Sequence, residues 1–572
     1  MTTMMTTRRA AAAAMVAGMA VSFSDAQIFQ RAVGDRSSEW HYSVDTTMDK
    51  GSVSAGFRRK TNGDTDFHIV KYFADGTTEW EVTFGGDRED VAYSVQQTKD
   101  GGYIVAGESR SFEAGFEIVL LRLDAAGNQL WANAYPGSFM ADPIHLPHPG
   151  VALDQGWEDE IYVVGRLELP SFPGGPVGGS RPVAFRTDMA GTLEWYQAYE
   201  VPTPPEAFAE LAFTDVAYSE ADRTAVISGT VRLDGPLNPD DPTFFMTRQD
   251  ATLLKVSADP GGAGGAGGVP FWFLSYDSVF DRDNPDIPNV WETGDGLDIA
   301  REGEIILAGR SDLGIGGPGG VFRGTHLVYT DMGGGPIWSS DYETFGADGT
   351  PAFVETAYAA IEWDERRDEF IQTGRIASGA AGTVNAHTQL TAPGGAPIWS
   401  WRYGGDELLT YGESVQPRPD TCGFVYAGRV NNPSPFPGQG AGDIYKFANN
   451  DFGETGCQER QIFTEQVAPL RPNQLPIEFR EFREFFELPE LTSFADGPNE
   501  AFCFDDDCKP GGGPCSLADL APPFGILDID DVNAFIAAFL GGLPLADIAP
   551  PFGVVDIDDV DAFIVAFLAG CP

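Results

Sequence analysis

Pairs of aspartates recur near the end of the chain at a spacing of 28 residues. Asp530 and Asp531 stand directly before an apolar run, and Asp558 and Asp559 hold the same place in a second copy. After each pair, apolar residues follow at intervals of three and four, which is the stripe of an amphipathic helix. Carboxylates at the start of a helix interact favourably with its dipole, and with further oxygen ligands they can hold a cation. The end of the chain is therefore a candidate for metal chemistry.

The duplication extends upstream of these pairs. Residues 518–525, Ala-Asp-Leu-Ala-Pro-Pro-Phe-Gly, return at 546–553 with one Leu to Ile change. Two loop-helix units in tandem describe a compact docking module. This layout resembles a dockerin, in particular the GC-type variant of secreted bacterial proteins, whose tail ends, like this one, in Gly570-Cys571. The resemblance implies a small α-helical domain of two 28-residue repeats over residues 515–572. It also implies a protein partner, either cohesin-like or an anchor in the cell envelope.

The same resemblance implies calcium as the cofactor, because dockerin loops surround a calcium ion with carboxylate and amide oxygens. The candidate ligands are six aspartates, three in each repeat: Asp519, Asp528, Asp531, Asp547, Asp556 and Asp559. The sequence departs from the family pattern where Ala521 and Pro523 replace expected ligands, and the second copy has the same gaps. The alternative interpretation is that the aspartates before each helix only stabilise its first turn.

Upstream of this tail the chain repeats a unit of four short strands, most clearly between Trp80 and Leu123. A small residue followed by glycine ends one strand of each unit, at Gly56, Gly107, Gly165, Gly229, Gly309, Gly374 and Gly428. An aromatic residue marks another strand, at Phe29, Trp80, Trp131, Trp195, Trp272, Trp338 and Trp399. Seven units of four strands predict a mainly β protein with a seven-bladed β-propeller over residues 27–458. The repeats resemble those of secreted bacterial propellers.

The two ends of the array should close the ring. Residues 29–33 form an aromatic strand without a preceding partner, and residues 443–447 form a third strand whose fourth is missing. We expect the aromatic strand to be outermost in each blade, which places both tight turns on one face and the longer loops on the other. That long-loop face is a candidate binding surface, with carboxylates such as Asp87, Glu89 and Asp90.

The remaining segments point to export. Arg8-Arg9, an apolar run and Ser24-Asp25-Ala26 have the form of a secretory signal peptide over residues 1–26. All six cysteines follow residue 420, which suits disulfides in an oxidising compartment. Locality favours the pairs Cys422–Cys457, Cys503–Cys508 and Cys515–Cys571. Residues 459–514 are interpreted as a spacer. The mature chain has no stretch long enough to predict a transmembrane segment, so we expect a secreted or cell-surface protein.

Charge and missing motifs narrow the function. With 36 basic and 85 acidic residues, the formal charge of −49 argues against nucleic acid as a partner. There is no Gly-x-Ser-x-Gly, HExxH or phosphate-loop motif, so no catalytic or cofactor-binding residue is predicted. The sequence favours a non-enzymatic binding or scaffold propeller held in an extracellular assembly by its tail. The alternatives are a secreted carbohydrate-active enzyme, with polysaccharide as ligand, and a purely structural envelope protein.

Overall fold

A computed structural model describes most of residues 28–505, together with Phe535, Ile536, Phe539, Val560, Phe563 and Ile564. Outside the description lie residues 1–27, 34–37, 113–116, 137–151, 157–159, 169–179, 202–207, 239–240, 259–266, 279–291, 301–302, 313–322, 346–352, 379–383, 405–408, 419–422, 432–442, 451–458, 462, 467–469, 475–477, 482–485, 488–491, 494–498 and the rest of the tail. The described strands form seven antiparallel blades around a central channel, so the chain is a seven-bladed β-propeller, as predicted.

Each blade has four main strands. The first strands, which line the channel, are β2 (Glu39–Thr46), β6 (Asp90–Gln97), β10 (Ala152–Gln155), β14 (Phe208–Ser219), β18 (Gly296–Ile299), β22 (Phe353–Asp364) and β26 (Leu409–Pro417). The second strands are β3 (Ser52–Arg59), β7 (Tyr103–Ser109), β11 (Ile161–Glu168), β15 (Thr224–Asn238), β19 (Ile305–Asp312), β23 (Glu369–Ser378) and β27 (Phe424–Asn431). We number the blades 1 to 7 in this order.

The third strands are β4 (Thr65–Tyr72), β8 (Glu117–Leu123), β12 (Ser180–Thr187), β16 (Asp241–Ser257), β20 (Arg323–Thr330), β24 (Val384–Thr391) and β28 (Asp443–Asn449). The fourth strands are β5 (Thr78–Phe84), β9 (Gln129–Pro136), β13 (Leu193–Glu200), β17 (Pro270–Ser278), β21 (Pro336–Phe345), β25 (Pro397–Tyr403) and, in blade 7, β1 (Ile28–Val33). The aromatic strand is therefore the fourth in every blade, as expected. The expectation that it is also outermost is wrong, because a fifth strand pairs with its outer edge. Blades 5 and 6 also touch through a single parallel bridge between Arg323 and Glu355.

Ring closure joins the two ends of the array. Strand β1 pairs antiparallel with β28, with Phe29 opposite Ala448 and Val33 opposite Ile444. Blade 7 thus combines three strands from the end of the array with one from its beginning. The predicted closure is confirmed.

The small-Gly motif has a steric cause. The first strand of several blades carries a β-bulge opposite this glycine, for example between His41 and Ser43 in blade 1. The bulge pushes a carbonyl group toward the second strand: a Cβ on Gly56 would lie 1.8 Å from the Trp40 carbonyl oxygen. In blade 5, a Cβ on Gly309 would lie 1.6 Å from the Thr293 carbonyl oxygen. Only glycine leaves room for this approach.

The aromatic markers join neighbouring blades. Trp80 of blade 1 lies against the tight turn of blade 2, where Gly127 has a φ of 80°. A Cβ added to Gly127 would lie 3.0 Å from the indole ring of Trp80. Trp131 repeats this contact at Gly191 and donates a hydrogen bond from Nε1 to the Met189 carbonyl at 3.1 Å. In blade 7 the equivalent residue is Phe29, which packs on Gly76 of blade 1. The turn-then-Trp spacing is therefore the blade-to-blade contact.

A fifth strand lies outside the fourth strand in every blade. From blade 6 back to blade 1 and finally blade 7, these strands are β29 (Glu459–Gln461), β30 (Phe463–Gln466), β31 (Leu470–Gln474), β32 (Glu478–Glu481), β33 (Phe486–Glu487), β34 (Thr492–Ser493) and β35 (Asn499–Asp505). All seven come from the segment that the sequence suggested as a spacer, and they follow one another around the ring in the direction opposite to the blades. We call residues 459–505 the strap.

The predicted signal peptide, most of the tail and the side chains of all six cysteines lie outside the described residues. Of the cysteines, only Cys503 has a described backbone, within β35. The predicted disulfides, the cleavage site and the tail domain boundaries therefore stay predictions. In the part of the chain that the structure describes, no helix has the length and apolarity of a membrane span.

Candidate functional site in the central channel

The first strands enclose a cavity of about 280 Å³ in the channel, and every blade contributes to its wall. Its lining alternates small apolar and polar residues, as in Ser43-Val44-Asp45 of blade 1 and Ser94-Val95-Gln96 of blade 2. This alternation follows from the strand period of two, which turns every second side chain toward the same surface. The channel wall is therefore polar and largely acidic.

Five carboxyl groups on the channel wall share an unusual environment. They are half-buried side chains at the channel surface, surrounded by protein: Asp45, Asp154, Asp215, Asp298 and Glu362. Burial raises the pKa of Asp45, Asp215 and Asp298 to about 7 and that of Asp154 to about 6, and it raises the pKa of Glu362 well above its usual range. Repulsion between the carboxylates adds to the effect, so part of the ring carries protons near neutral pH.

The carboxyl groups of the channel wall accept hydrogen bonds from neighbouring blades. Asp45 accepts a hydrogen bond from the backbone N–H of Gln97 at 2.6 Å, which links blades 1 and 2. Asp298 accepts one from the Trp363 N–H at 2.7 Å, which links blades 5 and 6. Each hydrogen bond joins the first strand of one blade to the first strand of the next. The two carboxylates therefore stabilise the contacts between blades.

Hydrogen bonds between first strands also join the other pairs of neighbouring blades, with different donors and acceptors. The remaining links are Tyr218 N–H to Asp154 at 2.6 Å, Leu297 N–H to Asp215 at 3.0 Å, Gln416 Nε2 to Glu362 at 2.7 Å, Val44 N–H to Ser414 at 3.1 Å and Gln96 Nε2 to the Leu153 carbonyl at 3.2 Å. With the two bonds above, every one of the seven junctions is bridged at the channel. The residues that line the cavity therefore also hold neighbouring blades together on the inner side of the ring.

We expect Asp298→Asn to change the pH dependence of stability. Because the folded-state pKa is raised to about 7, the protonated group favours folding below about pH 4, and this contribution is lost as the pH rises toward 7. Asparagine does not titrate. Relative to wild type, the variant should gain roughly 1–2 kcal/mol of unfolding free energy between pH 4 and pH 8, since each pKa unit is worth about 1.4 kcal/mol and channel water weakens the effect.

Urea denaturation of both proteins across this pH range measures the difference. Ser43→Ala is the matched control, since Ser43 accepts the Val95 N–H at 3.2 Å on the same inner side of the ring but does not titrate. Its cost should be the same at every pH. A constant cost for Asp298→Asn as well would contradict the raised pKa.

The site residues predicted from the sequence are either outside the described residues or on the long-loop face. All six candidate calcium ligands, Asp519, Asp528, Asp531, Asp547, Asp556 and Asp559, are outside the described residues. On the long-loop face, Asp90 is buried and accepts hydrogen bonds from Ser109, Ser111 and the Gly86 N–H, so it orders the neighbouring loop. Among the described residues, no three His, Cys, Asp or Glu side chains are grouped as metal ligands.

The described residues of the tail show how its two repeats meet. Phe535 and Phe563 occupy equivalent positions, and their rings stack with centroids 4.2 Å apart and an interplanar angle of 14°. Both are helical and buried. The next residue in each repeat points outward, with Ile536 49% and Ile564 47% exposed. The duplication therefore places two apolar side chains at equivalent exposed positions.

The fold defines the class of the protein as a seven-bladed β-propeller. Neither a protein-family model nor a curated protein matches the sequence. A solved ulvan lyase of polysaccharide lyase family PL25 is similar over 76% of this chain and 97% of its own, at 9% identity and a TM-score of 0.40; its complex with -[GlcA(1-4)Rha3S]- gives the same values. An endo-1,5-alpha-L-arabinanase from Thermotoga petrophila RKU-1 covers 74% of this chain and 99% of its own, at 10% identity and a TM-score of 0.19.

Proposed function

We propose that the protein is an exported binding or scaffold propeller, held in an extracellular or cell-surface assembly by its dockerin-like tail. The observation that carries this proposal is the tail itself. A duplicated unit whose equivalent phenylalanines stack, and whose equivalent isoleucines stay exposed, has an apolar surface available to a protein partner.

The channel carboxylates hold the blades together, which is the role expected in a scaffold propeller. They accept hydrogen bonds that join the blades, as for Asp298 and Trp363, so they already serve the ring. A general acid and base would instead face a substrate with a free oxygen. A carbohydrate-active enzyme remains the rival proposal, and turnover of a polysaccharide that is lost in Asp215→Asn but kept in Ser43→Ala would support it.

Substituting both exposed isoleucines should abolish docking. We expect the full chain with Ile536→Asp and Ile564→Asp to lose capture of its partner from envelope and secreted fractions by at least tenfold, because a buried charge opposes an apolar contact. The matched control is Ile337→Asp, since Ile337 is 54% exposed on the propeller. Capture by the control should equal wild type. Equal capture by all three proteins would exclude these isoleucines as the docking surface.

The calcium proposal is tested in the same experiment. Capture with calcium and then with a chelator separates two forms of the docking module. Loss of the partner on chelation would support calcium held by the six tail aspartates. Capture that is insensitive to chelation would leave docking intact and remove calcium, as expected if Ala521 and Pro523 break the loop. Absence of any captured partner under both conditions would overturn the docking proposal.

A further inference from the structure

The strap attaches the tail to the ring in a particular way. Each of its seven strands pairs only with the outer edge of a fourth strand, so the strap adds to blades that are already formed. Its last strand, β35, ends at Asp505, and residues 506–514 connect it in sequence to the tail at 515–572. A pull on the tail is therefore carried first by the pairing of β35.

The strap is attached unevenly. Strand β35 pairs with β1 from Ile28 opposite Asp505 to Val33 opposite Asn499. The next two strands upstream are the shortest, with two residues each: β34 pairs with β5 at Thr83 and Val82, and β33 pairs with β9 at Ala134 and Asn133. Strands β32, β31 and β30 have four, five and four residues. Once β35 is removed, little backbone pairing resists the release of β34 and β33.

The blades do not need the strap for their own pairing. The fourth strand of each blade stays hydrogen-bonded to the third, as β1 is to β28 from Phe29 to Val33. The contacts between blades also lie inside the fourth strands, as where Phe29 packs on Gly76. Removing the strap therefore leaves seven closed four-stranded blades.

We propose that the strap is an extensible tether: tension on the tail removes its strands one after another, beginning with β35, while the four-stranded ring stays closed. Full release of residues 459–505 would lengthen the connection between ring and tail by roughly 150 Å, at about 3.3 Å per extended residue. The ring would then keep its attachment through a longer arm before any blade unfolds. This property belongs to the ring and the strap, and it holds whether or not the tail has the proposed partner.

Force spectroscopy on the full chain tests the tether. One handle is inserted between Ala125 and Ala126, an exposed turn of blade 2, and the other is placed at residue 572. We expect a gain in contour length of roughly 150 Å at low force, in small steps, before the large steps of blade unfolding. A first event that already contains the length of one or more blades would overturn the proposal, because the ring would have opened with the strap.

A cross-link locates the release. Ser275 and Asn473 are paired residues of β17 and β31, so Ser275→Cys with Asn473→Cys brings two thiols within reach of a disulfide. In this variant only residues 474–505 can leave, and the low-force gain should shrink to roughly 100 Å. The control is Ser275→Cys with Pro472→Cys, because Pro472 is paired with Tyr276 and not with Ser275. This variant should give the wild-type gain. A full-length gain in the cross-linked protein would contradict the strap's position on the ring.

Discussion

Replacing Gly309 with alanine should destabilise the ring by at least about 3 kcal/mol, at the upper end of overpacking effects. The added Cβ would lie 1.6 Å from the Thr293 carbonyl oxygen and 2.9 Å from Nε2 of the buried His326. The carbonyl group cannot move freely, since the Thr293 backbone N–H is hydrogen-bonded to the Arg310 carbonyl at 3.0 Å. Either the bulge or the pairing of the first two strands of blade 5 must give way. Urea-induced unfolding, followed by tryptophan fluorescence, measures the loss.

The matched control is Gly394→Ala. A Cβ at this position meets nothing within 4 Å, so the substitution should change the free energy of unfolding by less than about 0.5 kcal/mol. Similar stability of the two alanine variants would mean that the bulge adapts to a side chain. The steric explanation of the small-Gly motif would then be wrong.

Phe29→Ala should cost about 3–5 kcal/mol, the range found when a buried phenylalanine is truncated. Phe29 is 2% exposed and belongs to a cluster with Val44 of blade 1 and Val425 of blade 7. Truncation therefore leaves a cavity at the junction that closes the ring. Differential scanning calorimetry should show a lower melting temperature.

Phe73→Ala is the control for this prediction, because Phe73 is 51% exposed in the β4–β5 turn. It removes the same atoms from the surface and should leave the melting temperature almost unchanged. If Phe29→Ala were equally harmless, the N-terminal strand would not hold the ring closed, contrary to its pairing with β28.

The blade pattern could be predicted because its markers have local causes. Each Trp is needed where a fourth strand meets the next blade's turn, as at Trp80 and Gly127. Each recurring glycine lies within the second strand of its blade and is needed where a bulge brings a carbonyl close, as at Gly56. The predicted strand end at this glycine is therefore wrong. Such requirements recur at every blade, so they appear in the sequence as repeats. The order of strands and the closing pair followed from them.

The strap could not be predicted in the same way. Its strands repeat no marker, and two of them have only two residues. Edge pairing through the backbone places few demands on side chains, so the segment looked like a spacer.

The channel carboxylates were missed for a different reason. Asp45, Gln96 and Glu362 stand in equivalent strands but differ in type, and in so acidic a chain single carboxylates do not stand out. Aligning the seven first strands with one another would have revealed a polar residue facing the channel in most of them. Their pKa values depend on neighbours from other blades and become apparent only in the folded ring.

The pairing of β1 also sets an order of events during synthesis. This first strand lies between β28 and β35, so both of its partners come from the last third of the described chain. A chain made from its N-terminus can form blades 1 to 6 from neighbouring hairpins, but residue 33 must wait for residue 444. Contacts between such distant residues form slowly. The nascent propeller is therefore an incomplete ring, and blade 7 can be completed only after β28 has been made, at Asn449 of a chain of 572 residues.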